Sequence, residues 1–181
     1  MSGRRRGAGM PARVTIAHPN AADMADFLEA TRRSGKLHAG WVAAPKTPQE
    51  FRAYRRRVGA ANAEGYLVRT REEGALVGVI NLNEIVRGQF QSAYLGYYAF
   101  APHAGQGLMK EGLAAVIRRA FGEHRLHRLE ANIQPNNKAS IALAKGLGFR
   151  LEGVSPRYLK VAGRWSDHER WALVKEHWAA R

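Results

Sequence analysis

The 181-residue sequence predicts an α+β domain with an antiparallel strand core and helices packed on it. Three observations carry this expectation. Strand-like runs at Gly65 to Arg71 and Ala75 to Asn83 are joined by a turn at Glu72-Glu73-Gly74, and the aromatic-rich run Tyr94 to Phe100 follows them, which makes an antiparallel core. Gly107 to Phe121 then carries Met109, Leu113, Val116, Ile117 and Ala120 on one stripe, with Lys110, Arg118 and Arg119 off it. The length suits one domain, and neither an internal repeat nor a second boundary interrupts the pattern.

In chain order, Met1 to Ala12 is rich in Gly and Arg without periodicity and is expected to be a disordered basic arm. The domain is expected to span residues 13–178. Val14-Thr15-Ile16 opens it as a strand. Ala21 to Thr31 reads as a helix capped by Asn20, with Phe27 and Leu28 facing inward. Thr47-Pro48-Gln49-Glu50 pairs a Thr/Glu capping box with Pro at the first helical position, and starts a helix through Phe51, Tyr54 and Val58 that Arg52, Arg55, Arg56 and Arg57 coat. Beyond the three central strands and the Gly107 helix, Leu129 to Ile133 is strand-like and Asn137 to Leu147 helical, with Gly148 as its stop. Arg150 to Val154 leads into a closing hairpin around Tyr158 and Trp171.

Composition narrows the chemistry. There is no cysteine, so disulfides, thiolate metal sites and acyl relay through a thiol are excluded. His124 and His127 lack the His-Glu-x-x-His spacing, and no metal is expected. No apolar run approaches the ~18–20 residues that cross a bilayer. The basic Arg4 to Arg6 is followed by no apolar signal core, so a cytoplasmic protein without membrane contact is expected. Lys plus Arg total 29 against 15 Asp plus Glu, a net charge of +14. That excess fits anionic partners such as nucleotides or RNA, with the Arg4 to Arg6 arm and the Arg52 to Arg57 face as contacts, and fits equally a basic solvated surface.

The most informative segment is Tyr97-Tyr98-Ala99-Phe100 running through Ala101-Pro102-His103-Ala104 into Gly105-Gln106-Gly107-Leu108-Met109 at the start of a helix. The first N–H groups of a helix lack internal partners and lie at its positive end, and glycines let an anion approach them. The loop lacks the Gly-Lys-Ser/Thr of a triphosphate site and the full Gly-x-Gly-x-x-Gly of a dinucleotide site. By itself it is also compatible with a tight turn. A second element, Gln134-Pro135-Asn136-Asn137-Lys138-Ala139-Ser140, places Asn137 at a cap position with Ser140 on the same side of the first turn, an arrangement that also serves as a plain helix cap.

Together the two elements resemble the GNAT superfamily of N-acetyltransferases. Asn81-Leu82-Asn83, Ile85 to Gly88, Gln91 to Tyr97, Arg157-Tyr158-Leu159 and Gly163 to His168 are similar to its Rim-type branch, the RimJ/RimL ribosomal-protein N-terminal acetyltransferases. The resemblance implies a mixed, mostly antiparallel central sheet flanked by helices, with a splayed strand pair holding acetyl-coenzyme A. It implies pyrophosphate held by Ala104 to Met109 with Phe100 adjacent, pantetheine bordered by Asn137 and Ser140, and direct transfer to an amine. Ser140 is expected to protonate the departing sulfur, Asn137 to orient pantetheine or water, and Glu84 to polarise a water that takes the amine proton. Tyr94, Tyr97 and Arg157 are expected on the acceptor side. Two positions depart from the family pattern. Pro102 stands where Arg or Gln commonly binds the cofactor, and Arg157 stands where some Rim-type enzymes carry a carboxylate. The acceptor implied is a protein N-terminus, such as that of a ribosomal protein. The alternatives are a small amine acceptor or a non-catalytic RNA- or ribosome-binding protein on the same fold.

Overall fold

The structure, a computed structural model, describes residues 11–161 and 163–179. The Arg4 to Arg6 arm lies outside the described residues. Strands β1 (Val14–Ala17), β2 (Glu64–Thr70), β3 (Leu76–Val86), β4 (Ser92–Ala99), β5 (Arg128–Ile133), β6 (Arg150–Val161) and β7 (Arg164–Val174) form one sheet in the order β1-β2-β3-β4-β5-β7-β6. Every neighbouring pair is antiparallel except β4 and β5. No described helix is long and apolar enough to cross a membrane.

The helices cover both faces of the sheet. On one face, α4 (Leu108–Phe121) lays Leu113, Val116 and Ile117 against Val68, Ile80 and Leu82, joined by Ile141 and Ala144 of α5 (Lys138–Gly146). Gly112 permits the close approach, since a Cβ there would lie 2.9 Å from both methyls of Val68. The other face of β2 to β4 is closed by α1 (Met24–Arg33) and α3 (Pro48–Val58), whose Phe27 and Phe51 pack on Leu67, Val79 and Phe100. Phe27, Phe51 and Phe100 are fully buried, and each contributes about 1.5–3 kcal/mol relative to exposure.

Local signals set the helix starts. The Thr47 hydroxyl accepts from Glu50 N at 3.2 Å while Glu50 reaches back to Thr47 N, with Pro48 at the first turn. Asn20 makes the equivalent box with Asp23, but it opens a 3-10 turn (Ala21–Asp23) before α1 begins, and α1 runs to Arg33. Four features differ from the expected boundaries. A four-residue α2 (Gly35–His38) follows α1, too short to show periodicity, and α6 (Lys175–Ala179) follows β7. The strand expected to end at Asn83 continues to Val86 through a bulge, where Glu84 takes a φ of 48°. The closing hairpin is longer than Arg150 to Val154 suggested, because β6 continues to Val161 through irregular pairing between Ser155 and Leu159.

The parallel pairing of β4 and β5 covers only Ser92 with Arg128, Ala93 with Leu129 and Tyr94 with Glu130. Beyond that point β4 continues to Ala99 and β5 to Ile133 without pairing with each other, so the two strands part. This is the splayed pair expected from the sequence.

Candidate active site

The parted strands open into a cleft of about 960 Å³. Leu95 to Tyr98 of β4 and Ala131 to Gln134 line one side. Trp41 to Lys46 with Tyr54 and Arg57 of α3 line another, and Tyr158, Leu159 and His168 of the β6–β7 hairpin complete it. Phe100 N donates to Val77 O at 2.8 Å, so the alternation of an antiparallel ladder turns the main-chain groups of Tyr97 and Ala99 away from β3, toward the opening. Ala99 O is occupied there by His38 Nε2 at 2.8 Å. A carbonyl only accepts, so Nε2 carries the proton. Burial lowers the His38 pKa below the usual histidine value, against the opposing pull of that hydrogen bond and with Lys46 adding to the lowering. Among the described residues no hydrogen bond engages the Tyr97 main chain on that side.

Asn137 caps α5, its Oδ1 accepting from Ser140 N at 3.1 Å. Tyr97 Oη donates to Ser140 O at 3.2 Å, which ties β4 to the first turn of α5 across the gap. Burial raises the Tyr97 pKa, keeping the phenol a donor. Tyr94 and Tyr97 are three residues apart and lean to opposite faces of β4, yet both line the cleft because the opening exposes both faces of the strand. Burial raises the Tyr94 pKa as well, helped by a hydrogen bond with Tyr158 and the charge of Glu130. Glu84 also lines the cleft, exposed on its bulge with Asn62 Nδ2 at 3.5 Å. Ser140, Asn137, Glu84, Tyr94 and Tyr97 are therefore brought together. Arg157 is not on the wall. It is exposed, with a φ of 46° and its N–H donating to Asp167 Oδ1 at 2.8 Å, while the adjoining Tyr158 faces the cleft.

The glycine loop follows directly from the end of β4 but lies outside the cleft wall. Gly105 and Gly107 take φ values of 80° and 78°, and Ala104 to Gly107 are exposed. Gln106 Nε2 donates to Pro102 O at 3.1 Å, and Arg13 Nη2, ion-paired with Glu111 at 2.5 Å, donates to Gln106 O at 3.2 Å. No hydrogen bond among the described residues engages the N–H groups of Gly105, Gln106, Gly107, Leu108 or Met109. They lie at the positive end of a 14-residue helix, where an anion is favoured. The side chains of Leu108 and Met109 are buried in the core, so their contribution is confined to those N–H groups. Phe100 belongs to the core too: its ring is 0% exposed, at 5.5 Å from both Phe27 and Tyr98, and its N–H is already spent on Val77.

Several cleft residues carried no local signal. Tyr54 reads as an inward helix residue, yet its hydroxyl reaches Asn81 Oδ1 at 3.0 Å beside the cleft. Arg57 reads as surface coat but donates to Asn83 Oδ1 at 2.8 Å. His168 is buried, with Nδ1 at 2.8 Å from Ser166 O. Asn132 Oδ1 is buried on the cleft side of β5 with no partner among the described residues, an acceptor suited to an amide N–H of a bound ligand. Among the described residues no group of three or more His, Asp or Glu side chains is arranged to hold a metal ion.

Comparison with known proteins agrees with this architecture. The Escherichia coli [ribosomal protein uS5]-alanine N-acetyltransferase is 41% identical over 107 residues, 59% of this chain and 55% of that protein. A probable N-acetyltransferase of Bacillus subtilis, YjcK, is 36% identical over 105 residues, 58% of each chain. The aligned stretch thus spans little more than half the length of these relatives. Among solved structures, Mycobacterium smegmatis RimJ in complex with CoA-disulfide superposes with a TM-score of 0.83 at 24% identity, covering 90% of this chain and 82% of that one. At such identity the likeness speaks for the fold. Residues 13–150 match the family described as the acetyltransferase (GNAT) domain, and the chain belongs to that family.

Proposed function

We propose that this chain transfers the acetyl group of acetyl-coenzyme A directly to the N-terminal α-amine of a protein, a ribosomal protein being the first candidate. The parting of β4 and β5 carries the reading, because it opens a strand edge that leads to the unsatisfied N–H groups at the start of α4. Acetyl-coenzyme A supplies an activated thioester. The Gly105 to Met109 N–H groups fit its pyrophosphate, and they carry most of that load because Pro102 offers no side-chain donor. The Tyr97 main chain and the orphaned Asn132 Oδ1 fit the amides of its pantetheine arm.

In transfer, the neutral amine attacks the thioester carbon, the carbonyl oxygen gains charge, and the C–S bond breaks to give the N-acetyl product and the thiol. An α-amine has a pKa near ~8 against ~10.4 for lysine, so it loses its proton more readily at neutral pH. Glu84, exposed on its bulge, takes that proton through a water. Ser140 gives a proton to the departing sulfur and regains one, through water, from the nitrogen that has attacked, so the serine ends neutral. With its Oδ1 engaged by Ser140 N, Asn137 turns Nδ2 toward the ligand. The Tyr97 N–H is oriented to meet the developing oxyanion.

The charges around the cleft favour a peptide over a polyamine. Glu50 is engaged by Lys46 N and Thr47 N, and the cleft wall otherwise carries Glu84 together with the cations Arg57 and Lys46, without the carboxylate cluster that a polycation needs. The exposed Arg52 and Arg56 of α3 offer a basic face to RNA beside such a substrate. The test is release of coenzyme A thiol across peptides beginning with Ala, Ser or Met, N-terminally blocked lysine peptides, spermidine and an aminoglycoside. Turnover of free N-terminal peptides supports the proposal, and turnover confined to polyamines or aminoglycosides sinks it.

A further inference from the structure

The Asn83 side chain is set in one orientation by its neighbour. Arg57 Nη1 donates to Asn83 Oδ1 at 2.8 Å, and a guanidinium has donors only, so the amide oxygen must face Arg57 and the NH2 must face away. Asn83 Nδ2 stands over β4, 3.1 Å from where a Cβ on Gly96 would lie. Gly96 and Asn83 both line the cleft, and the missing side chain at position 96 keeps the strand surface beneath that amide bare. Among the described residues no acceptor takes the Asn83 N–H groups.

A second amide sits beside the first. Asn81 lies two residues back on the same face of β3, opposite Gly96, and its Oδ1 accepts from the buried Tyr54 hydroxyl at 3.0 Å. Arg57 also lies over the Tyr54 ring, 5.5 Å from its centroid, so Arg57, Tyr54, Asn81 and Asn83 brace one another. Amide N–H groups beside a guanidinium make an unfavourable seat for a second ammonium and a favourable one for a carbonyl oxygen. In a peptide acceptor the first carbonyl hangs on the same Cα as the reacting nitrogen. A polyamine offers methylenes and further cations there.

We infer that the Asn83 amide, held by Arg57 over Gly96, donates a hydrogen bond to the first peptide carbonyl of the acceptor and thereby selects α-amines of peptides. This rests on the acceptor reading above and adds the group that recognises it. Without a substrate carbonyl the donor stays unpaired in the cleft, and such a site discriminates strongly against an analogue that lacks the partner.

The test compares steady-state kinetics of wild type, Asn83→Leu and Asn83→Asp on an Ala-initiated peptide and on the same peptide with its first amide replaced by a trans-alkene. Wild type is expected to prefer the amide peptide by about 10- to 100-fold in kcat/KM. Both variants are expected to lose about that factor on the amide peptide, with the KM for acetyl-coenzyme A unchanged, and Asn83→Leu is expected to treat the two peptides alike. Asn83→Asp retains the partner of Arg57, so it reports on the lost donor even where the Leu variant folds poorly. An undiminished preference in a folded Asn83→Leu or Asn83→Asp overturns the inference while leaving peptide acetylation intact. Turnover of spermidine with neither peptide accepted by wild type overturns the acceptor assignment and this inference with it.

Discussion

Tyr97 Oη and the carbonyl oxygen of Ser140 meet at 3.2 Å, joining a strand and a helix that are 43 positions apart in sequence across the opening where the sheet parts. Tyr97→Phe removes that hydrogen bond and keeps the ring. A loss of about 0.5–1.5 kcal/mol is expected in urea denaturation. The KM for acetyl-coenzyme A should rise as the two sides of the cleft loosen, and an unchanged KM would show that the link does not position the cofactor.

Ser140 can be altered without removing the cap, because Asn137 binds its main-chain N–H. Ser140→Ala is expected to lower kcat on an Ala-initiated peptide by about 100- to 10,000-fold, the range of a lost proton donor, with stability nearly unchanged. Asn137→Ala removes the cap itself and should cost about 1 kcal/mol of stability besides its effect on turnover. Full turnover by the serine variant would take Ser140 out of the chemistry.

At the glycine loop, Gly105 holds a φ of 80° with open space around its α-carbon. Gly105→Val forces a branched side chain into a left-handed conformation and over the N–H groups of the loop. Affinity for coenzyme A, measured by calorimetry, is expected to fall at least tenfold. Normal affinity in a folded variant would remove the loop from pyrophosphate binding.

Gly78 tests the packing that carries this loop. A Cβ at that position would lie 2.4 Å from Met109 Sδ and 2.5 Å from Tyr98 O, and the second atom belongs to the backbone of β4. Gly78→Ala is therefore expected to cost about 1–3 kcal/mol and lower Tm by about 2–4 °C per kcal/mol. A Tm equal to wild type would contradict the close packing of α4 on β3.

His38 makes the domain sensitive to acid. Its pKa in the folded state lies below the ordinary histidine value, mainly through burial, so the unfolded chain binds more protons as pH falls through about 6.5. Its contribution is complete above that pH and is lost progressively below it. His38→Gln keeps a side-chain N–H for Ala99 O without the titration. The stability difference between wild type and variant should shift in favour of glutamine between pH 7.5 and 5 in urea midpoints, and a constant difference would refute the coupling.

The recognisable parts of this protein are those encoded within a few consecutive residues. Thr47 with Glu50, Asn137 with Ser140 and the Gly105-Gln106-Gly107 junction each satisfy local hydrogen-bonding or backbone demands, so they can be read one segment at a time. The alternation and stripes of β2, β3, β4 and α4 likewise announce their buried faces and predict an antiparallel core with a helix packed on it. The bulge that lifts Glu84 into the cleft was not legible, because it arises where β3 and β4 fall out of step rather than from any residue type. Nor were the Arg57–Asn83 and His38–Ala99 contacts, whose partners are 26 and 61 positions apart and meet only when the helices close over the sheet. Leu108, Met109 and Phe100 show the same division. Their proximity to the glycine loop follows from the chain, but core packing claims their side chains and leaves only main-chain N–H groups at Leu108 and Met109 for a ligand.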